Sequence, residues 1–139
     1  AVDEFPHWGY EHPEAEPEGR RRAWREIEGR YLPWRDYRGD ELLESGGFWF
    51  RQGHIFSDPF YYIDYTLAQV SAYEYWARSR ADRGAAWKSY LGLCDKGGSA
   101  SYLELLAAAG LRNPFVPGSI AAIMAPVRAW LDEAEDRSL

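Results

Sequence analysis

The chain has 139 residues, 46% apolar and 17% aromatic, with a formal charge of -6. Seven tryptophans and ten tyrosines carry enough area for one modest core and exclude a chain disordered throughout, while the acidic balance argues against a nucleic-acid-binding surface, which needs clustered Lys and Arg. The single cysteine, Cys94, excludes an internal disulfide and a thiolate metal site, which suits a reducing, cytoplasmic compartment, and no run of about 20 apolar residues is present to span a bilayer.

Apolar spacing is helical nearly everywhere, without sustained alternation or an Asn-Gly or Asp-Gly turn, so an all-α fold is expected, a single helical sub-domain over residues 1–139. Glu4 to Tyr10 reads as the tail of a helix begun upstream, and Pro13 with Pro17 opens another through Trp24, Ile27 and Glu28 toward Tyr31, ended by Leu32-Pro33. The run Arg20-Arg21-Arg22 is flanked by acids and reads as a solvated helix face. Residues 33–58 form an aromatic-rich connection with a short helix near Asp40 to Glu44, a bend at Gly46-Gly47 and an extended Phe48-Trp49-Phe50.

Asp58 as N-cap and Pro59 as first helical residue predict a helix from Pro59 to about Arg80, apolar on nearly every side and therefore the buried centre of the fold. On that helix Tyr62, Tyr65 and Gln69 share one face, Tyr61 points to the core, and Asp64 and Glu74 are lone acids suited to pairing with arginine or with a tyrosine hydroxyl. Asp82-Arg83-Gly84 interrupts the pattern before a helix from Ala85 to Asp95, which Gly97-Gly98 caps. Ser101 and Glu104 form a capping box for a helix ending at Gly110, the Asn113-Pro114 step and Pro117 make a loop, and Ser119 caps a last helix kinked at Pro126. The closing acids Asp132, Glu133, Glu135 and Asp136 oppose the helix dipole, so the final turn is expected to fray.

The chemistry concentrates in Gly53 to Tyr65, where His54 stands just ahead of the expected helix and its tyrosines. An imidazole there can act as general acid or base or donate to an oxyanion, and the phenols of Tyr62 and Tyr65 can donate to a carbonyl that gains charge in a tetrahedral transition state. Taken alone, such residues are more often packing groups with a satisfied hydrogen bond. His7, Glu11 and His12 superficially suggest a metal site, but on a helix residue 12 lies well round the axis from 7 and 11, and Gly9 and Pro13 weaken any helix there. Cys94, with apolar neighbours and no adjacent base, reads as inert.

Arg51-Gln52-Gly53-His54-Ile55-Phe56 running into Pro59-Phe60-Tyr61-Tyr62-Ile63-Asp64-Tyr65 resembles the C-terminal part of oligoendopeptidase F-type zinc metallopeptidases, of the thimet-oligopeptidase-like family. Ala1 to Trp8 with Tyr10 and Pro13, Tyr31-Leu32-Pro33-Trp34, Gly97-Gly98-Ser99, Leu103-Glu104-Leu105 and Ala109-Gly110-Leu111 are similar to the same family, so the resemblance spans nearly the whole chain. It does not include the His-Glu-x-x-His helix that binds zinc in these enzymes, nor the glutamate that follows as third ligand.

The resemblance implies a C-terminal fragment of a peptidase catalytic domain, with zinc held by residues outside this chain and none bound by the fragment. It also implies that Tyr65 donates to the oxyanion, that His54 supports the same charge or binds the substrate backbone, and that Tyr62 lines the substrate cleft. The expected partners are an oligopeptide substrate and the N-terminal remainder of the enzyme, without which the fragment is inactive; no nucleic acid or membrane is expected. A homodimer of the fragment is a candidate, because an excised piece leaves apolar surface uncovered. A non-enzymatic helical module that binds peptides or proteins through its aromatic surface is the alternative, and a plain packing domain a third reading.

Overall fold

The computed structural model describes residues 1–136, which form eight α-helices with no strand among them, as the all-α expectation required. They are α1 (Glu4–Glu11), α2 (Pro17–Tyr31), α3 (Glu41–Glu44), α4 (Gly53–Ser57), α5 (Ile63–Ala81), α6 (Arg83–Lys96), α7 (Tyr102–Ala108) and α8 (Ser119–Asp136), with a 3₁₀ turn at Gly47–Arg51. Two compact units divide the chain, Ala1–Asp64 and the residues from Tyr65 onward.

In the first unit, Pro17 starts α2 where its missing N–H costs nothing, and the Leu32 N–H closes the last turn on the Glu28 carbonyl at 2.7 Å before Pro33 prevents continuation. Ala23, Trp24 and Ile27 recur at helical spacing and bury one face of α2 against Phe5 of α1. The Phe5 ring meets Trp24 edge to face at 5.4 Å and Trp49 at 5.1 Å, so the 3₁₀ turn is tied to the same core. Phe48-Trp49-Phe50 is therefore not extended: a tight turn points Phe48 and Trp49 back onto α1 and α2, which an extended run with alternating faces cannot do. Gly46 makes the approach possible. Its φ is +97°, and a Cβ there would lie 2.0 Å from the Arg21 carbonyl oxygen.

Glu28 is 1% exposed, and its carboxylate accepts from Tyr37 Oη at 2.6 Å and from Arg25 at 3.2 Å. Burial, followed by the hydrogen bond to Glu28, pushes the Tyr37 phenol up to about 12. On the other side of the core, Glu4 ties α1 to the end of α2 by accepting from Tyr31 Oη at 2.6 Å and from Arg30.

In the second unit, Val70, Ala86, Leu106, Leu111, Ile123 and Val127 are the buried apolar residues. The long helix is shorter at its start than the sequence predicts and less enclosed. Only Val70 and Glu74 of α5 are buried, whereas Ile63 and Tyr65 are exposed. Glu74 pairs as expected for a lone acid: Arg78 donates to it at 2.9 Å and the Arg112 backbone N–H at 2.9 Å, while Asp64 is exposed. Arg78 also donates to the carbonyls of Ala109 and Gly110, and Ser89 to that of Ala109 at 2.9 Å, so α5 and α6 both hold the end of α7.

That end is a Schellman cap. The Leu111 N–H bonds the Leu106 carbonyl at 2.8 Å, the Gly110 N–H that of Ala107 at 3.0 Å, and Gly110 takes φ +66°. At the start of α7, Glu104 accepts from the Ser101 N–H at 2.9 Å, the expected box contact. Asp82 caps α6 by accepting from Ala85 N–H at 2.9 Å. Ser119 is the first residue of α8, not its cap, and the stripe on α8 is only partly covered, with Ile123 and Val127 buried but Trp130 and Leu131 exposed. The helix continues through Asp136, the last of the closing acids at which the final turn is expected to fray.

Two outcomes follow. Glu74→Ala should destabilise the chain by about 2–3 kcal/mol in urea unfolding, less than for a fully buried pair because Arg78 and Arg112 are one third and one half exposed. For Tyr37, a folded-state value above the ordinary 10.0 means its contribution is complete below pH 10 and is lost as pH rises toward about 12; Tyr37→Phe should remove that component of the alkaline stability loss.

Candidate functional site

The sequence between Gly53 and Tyr65 does not form one loop and one helix. His54 lies inside the short helix α4, which closes through Ile55 N–H to the Gln52 carbonyl and Asp58 N–H to the His54 carbonyl, each at 3.0 Å. Two apolar anchors fix this helix. Ile55 packs on the Phe5–Trp24 core, and the Phe56 ring stacks on Trp49 at 5.5 Å. His54 is thereby held half-buried on an element referenced to the core of the first unit.

Asp58 ends α4 instead of capping the next helix, and its carboxylate accepts from Ser57 Oγ at 2.7 Å. Residues 58–62 then turn, and α5 begins only at Ile63. The physical reason is Phe60, whose φ of +67° is left-handed and cannot continue a right-handed helix from Pro59. Such a conformation costs a non-glycine residue of order 1–2 kcal/mol, so something must hold it. The Phe60 ring meets His7 at 4.6 Å and Tyr10 at 5.1 Å, both on α1.

The turn brings two of the three expected residues together. The Tyr62 ring lies edge-on to the His54 imidazole at 5.2 Å, and Tyr61, which the sequence assigned to the core, is exposed with its ring 6.3 Å from the imidazole. Tyr62 precedes α5, so it does not share a helical face with Tyr65 and Gln69 as the expected helix start implied. Tyr65 stands in the first turn of α5 and is 52% exposed. Phe60 is the participant that spacing concealed. Asp58-Pro59 is so strong a helix-start signal that it masks a left-handed residue two positions on.

No three His, Cys, Asp or Glu side chains converge to hold a metal ion among the described residues. In the His7, Glu11, His12 string, His12 Nδ1 is bonded to the Trp8 carbonyl at 2.9 Å and its ring stacks on Trp8, while the His7 imidazole lies 3.8 Å from Asp3. Cys94 is exposed, and its hydrogen bond with Tyr90 raises the Tyr90 phenol. None of the described helices is long and apolar enough to cross a membrane. In the second unit, Tyr75, Trp76, Trp87 and Tyr90 line a groove of about 670 Å³ on α5 and α6.

No protein-family model matches the chain, and no curated protein matches it. Among solved structures the chain is similar to a protein assigned as oligoendopeptidase F, at 51% identity and a TM-score of 0.94, over 99% of this chain and 24% of that one. It is also similar to PZ peptidase A in a structure with an inhibitor, at 48% identity and a TM-score of 0.91, over 95% of this chain and 24% of that one. An assigned oligoendopeptidase F from Bacillus anthracis str. Ames matches at 43% identity with a TM-score of 0.76, over 99% of this chain and 21% of that one. The chain thus spans less than a quarter of the length of these proteins and corresponds to their C-terminal part.

From the donor set, titration of this chain with zinc should show no tight, saturable site by calorimetry and no rise in melting temperature, since a ligand that does not bind the folded state cannot stabilise it. A stoichiometric submicromolar site would contradict this geometry.

Proposed function

We propose, from the match of this chain to the C-terminal part of oligoendopeptidase F structures, that it supplies part of the catalytic domain of a zinc-dependent metallopeptidase cleaving oligopeptides. The observation that carries the reading is the pairing of His54 with Tyr62, with Tyr65 exposed in the first turn of the helix that follows. That pattern of donors matches the family's histidine and Tyr-x-x-Tyr.

In this role Tyr65 Oη–H donates to the oxygen of the scissile carbonyl. The bond strengthens as that oxygen takes on negative charge, which is the condition for lowering a barrier and not merely binding substrate. An imidazole N–H of His54 donates to the same oxygen or to a neighbouring substrate carbonyl. Tyr62 lines the substrate cleft beside His54. The side chains of the described residues do not fit a zinc site, so the metal would be held by residues outside this chain. The chain alone is therefore inactive, and the site belongs to a longer cytoplasmic enzyme.

The test is hydrolysis of a quenched-fluorescence oligopeptide by a family-length enzyme carrying this chain as its C-terminal part. Tyr65→Phe should lower kcat by about 10²–10³ with KM changed little, the size expected for one oxyanion donor, and a chelator should abolish turnover. Unchanged kcat in Tyr65→Phe would remove the donor role. Chelator-resistant binding of peptides without hydrolysis would favour a binding module.

A further inference from the structure

We infer that Phe60 is a positioning residue for His54: its ring, gripped by α1, holds the turn after α4 in the shape that sets Tyr62 against the imidazole. The inference rests on the reading of His54 as a group that meets substrate. Its starting point is a conflict between local preference and observed backbone. Asp58-Pro59 favours a helix from residue 59, yet Phe60 adopts φ +67° and the helix waits until Ile63.

A glycine would take that conformation without strain, so a phenylalanine in this place has to contribute something a glycine does not. What it contributes is contact with α1. His7 and Tyr10 stand three residues apart on one face of that helix, with ring centroids 4.6 Å and 5.1 Å from that of Phe60. Phe5 and Pro6 are buried on the same helix, Phe5 in the Trp24 core, so the grip is referenced to the buried core of the first unit.

The imidazole is fixed from the other side by the same core. Ile55 and Phe56 seat α4 on it, and the Asp58 N–H bond to the His54 carbonyl and the Tyr61 N–H bond to the Asp58 carbonyl at 3.2 Å carry the chain into the turn. Tyr62 is then delivered edge-on to His54 at 5.2 Å. The ring contacts to α1 oppose relaxation of residue 60 into the helical region. Without them the helix would extend back toward Pro59 and rotate Tyr62 away from the imidazole.

The experiment compares Phe60→Gly, which permits the left-handed backbone but removes the ring, with Phe60→Tyr, which keeps the ring. In this chain, the nuclear Overhauser contact between the His54 and Tyr62 ring protons should weaken at least threefold in Phe60→Gly and persist in Phe60→Tyr. The buried Trp24 indole resonance should be unchanged in both, which controls for unfolding. In a family-length enzyme the same Phe60→Gly should lower kcat about tenfold with KM within twofold, and Phe60→Tyr should restore it. A full-strength contact in Phe60→Gly overturns the positioning role, whatever the chain's activity. A weakened contact with unchanged kcat overturns instead the reading of His54 as a group acting on substrate.

Discussion

Placing a carboxylate out of reach of water is costly unless its oxygens meet donors, and that demand organises both units. In the first, Glu28 draws Tyr37 and Arg25 onto the inner face of α2, so the irregular stretch after α2 folds back over the helix that begins it. In the second, Glu74 joins α5 to the turn after α7 through Arg78 and the Arg112 backbone. Apolar contacts alone would let these helices slide along one another, because the hydrophobic effect is non-directional. The hydrogen-bonded acids set the register. Glu74 thereby anchors the helix whose first turn carries Tyr65.

The site uses a different kind of hold. His54, Tyr62 and Phe60 are placed by rings, with edge-on and tilted contacts that run from the Phe5 core through α1 and the 3₁₀ turn. Aromatic pairs are worth about 0.5–1.5 kcal/mol each beyond their burial, enough in combination to hold one left-handed residue. The buried acids give stability and register, and the rings give orientation.

Much of this was legible in the residues. Pro17, the Ser101–Glu104 box and Gly110 mark helix ends correctly because each acts through its own backbone or its nearest neighbours, whereas α6 starts at Arg83, inside the Asp82-Arg83-Gly84 stretch that reads as a break. That Glu74 pairs with a donor is readable too, since a lone acid among apolar residues needs one; the residues leave arginine and a tyrosine hydroxyl open, and the structure supplies Arg78. What misled was tertiary. The start of α5 at Ile63 and the 3₁₀ turn at Phe48 are set by ring contacts across the fold, which override the local signals of Asp58-Pro59 and of a β-prone aromatic run. Tyr61 reads as core for the same reason: its direction depends on a helix start at Pro59, four residues ahead of the observed start at Ile63. The roles proposed for His54, Tyr62 and Tyr65 rest on family resemblance, because a histidine near tyrosines is by itself only a packing pattern.

The central claim is that this chain presents donors to the oxyanion of peptide hydrolysis. The most direct measurement is a crystal structure of a family-length enzyme carrying this chain, bound to a phosphinic peptide that imitates the tetrahedral intermediate. The account predicts Tyr65 Oη and a His54 ring nitrogen at about 2.7–3.1 Å from phosphinyl oxygens, with Tyr62 packed on the imidazole. Both groups beyond hydrogen-bonding reach, with other residues making those bonds, would contradict it.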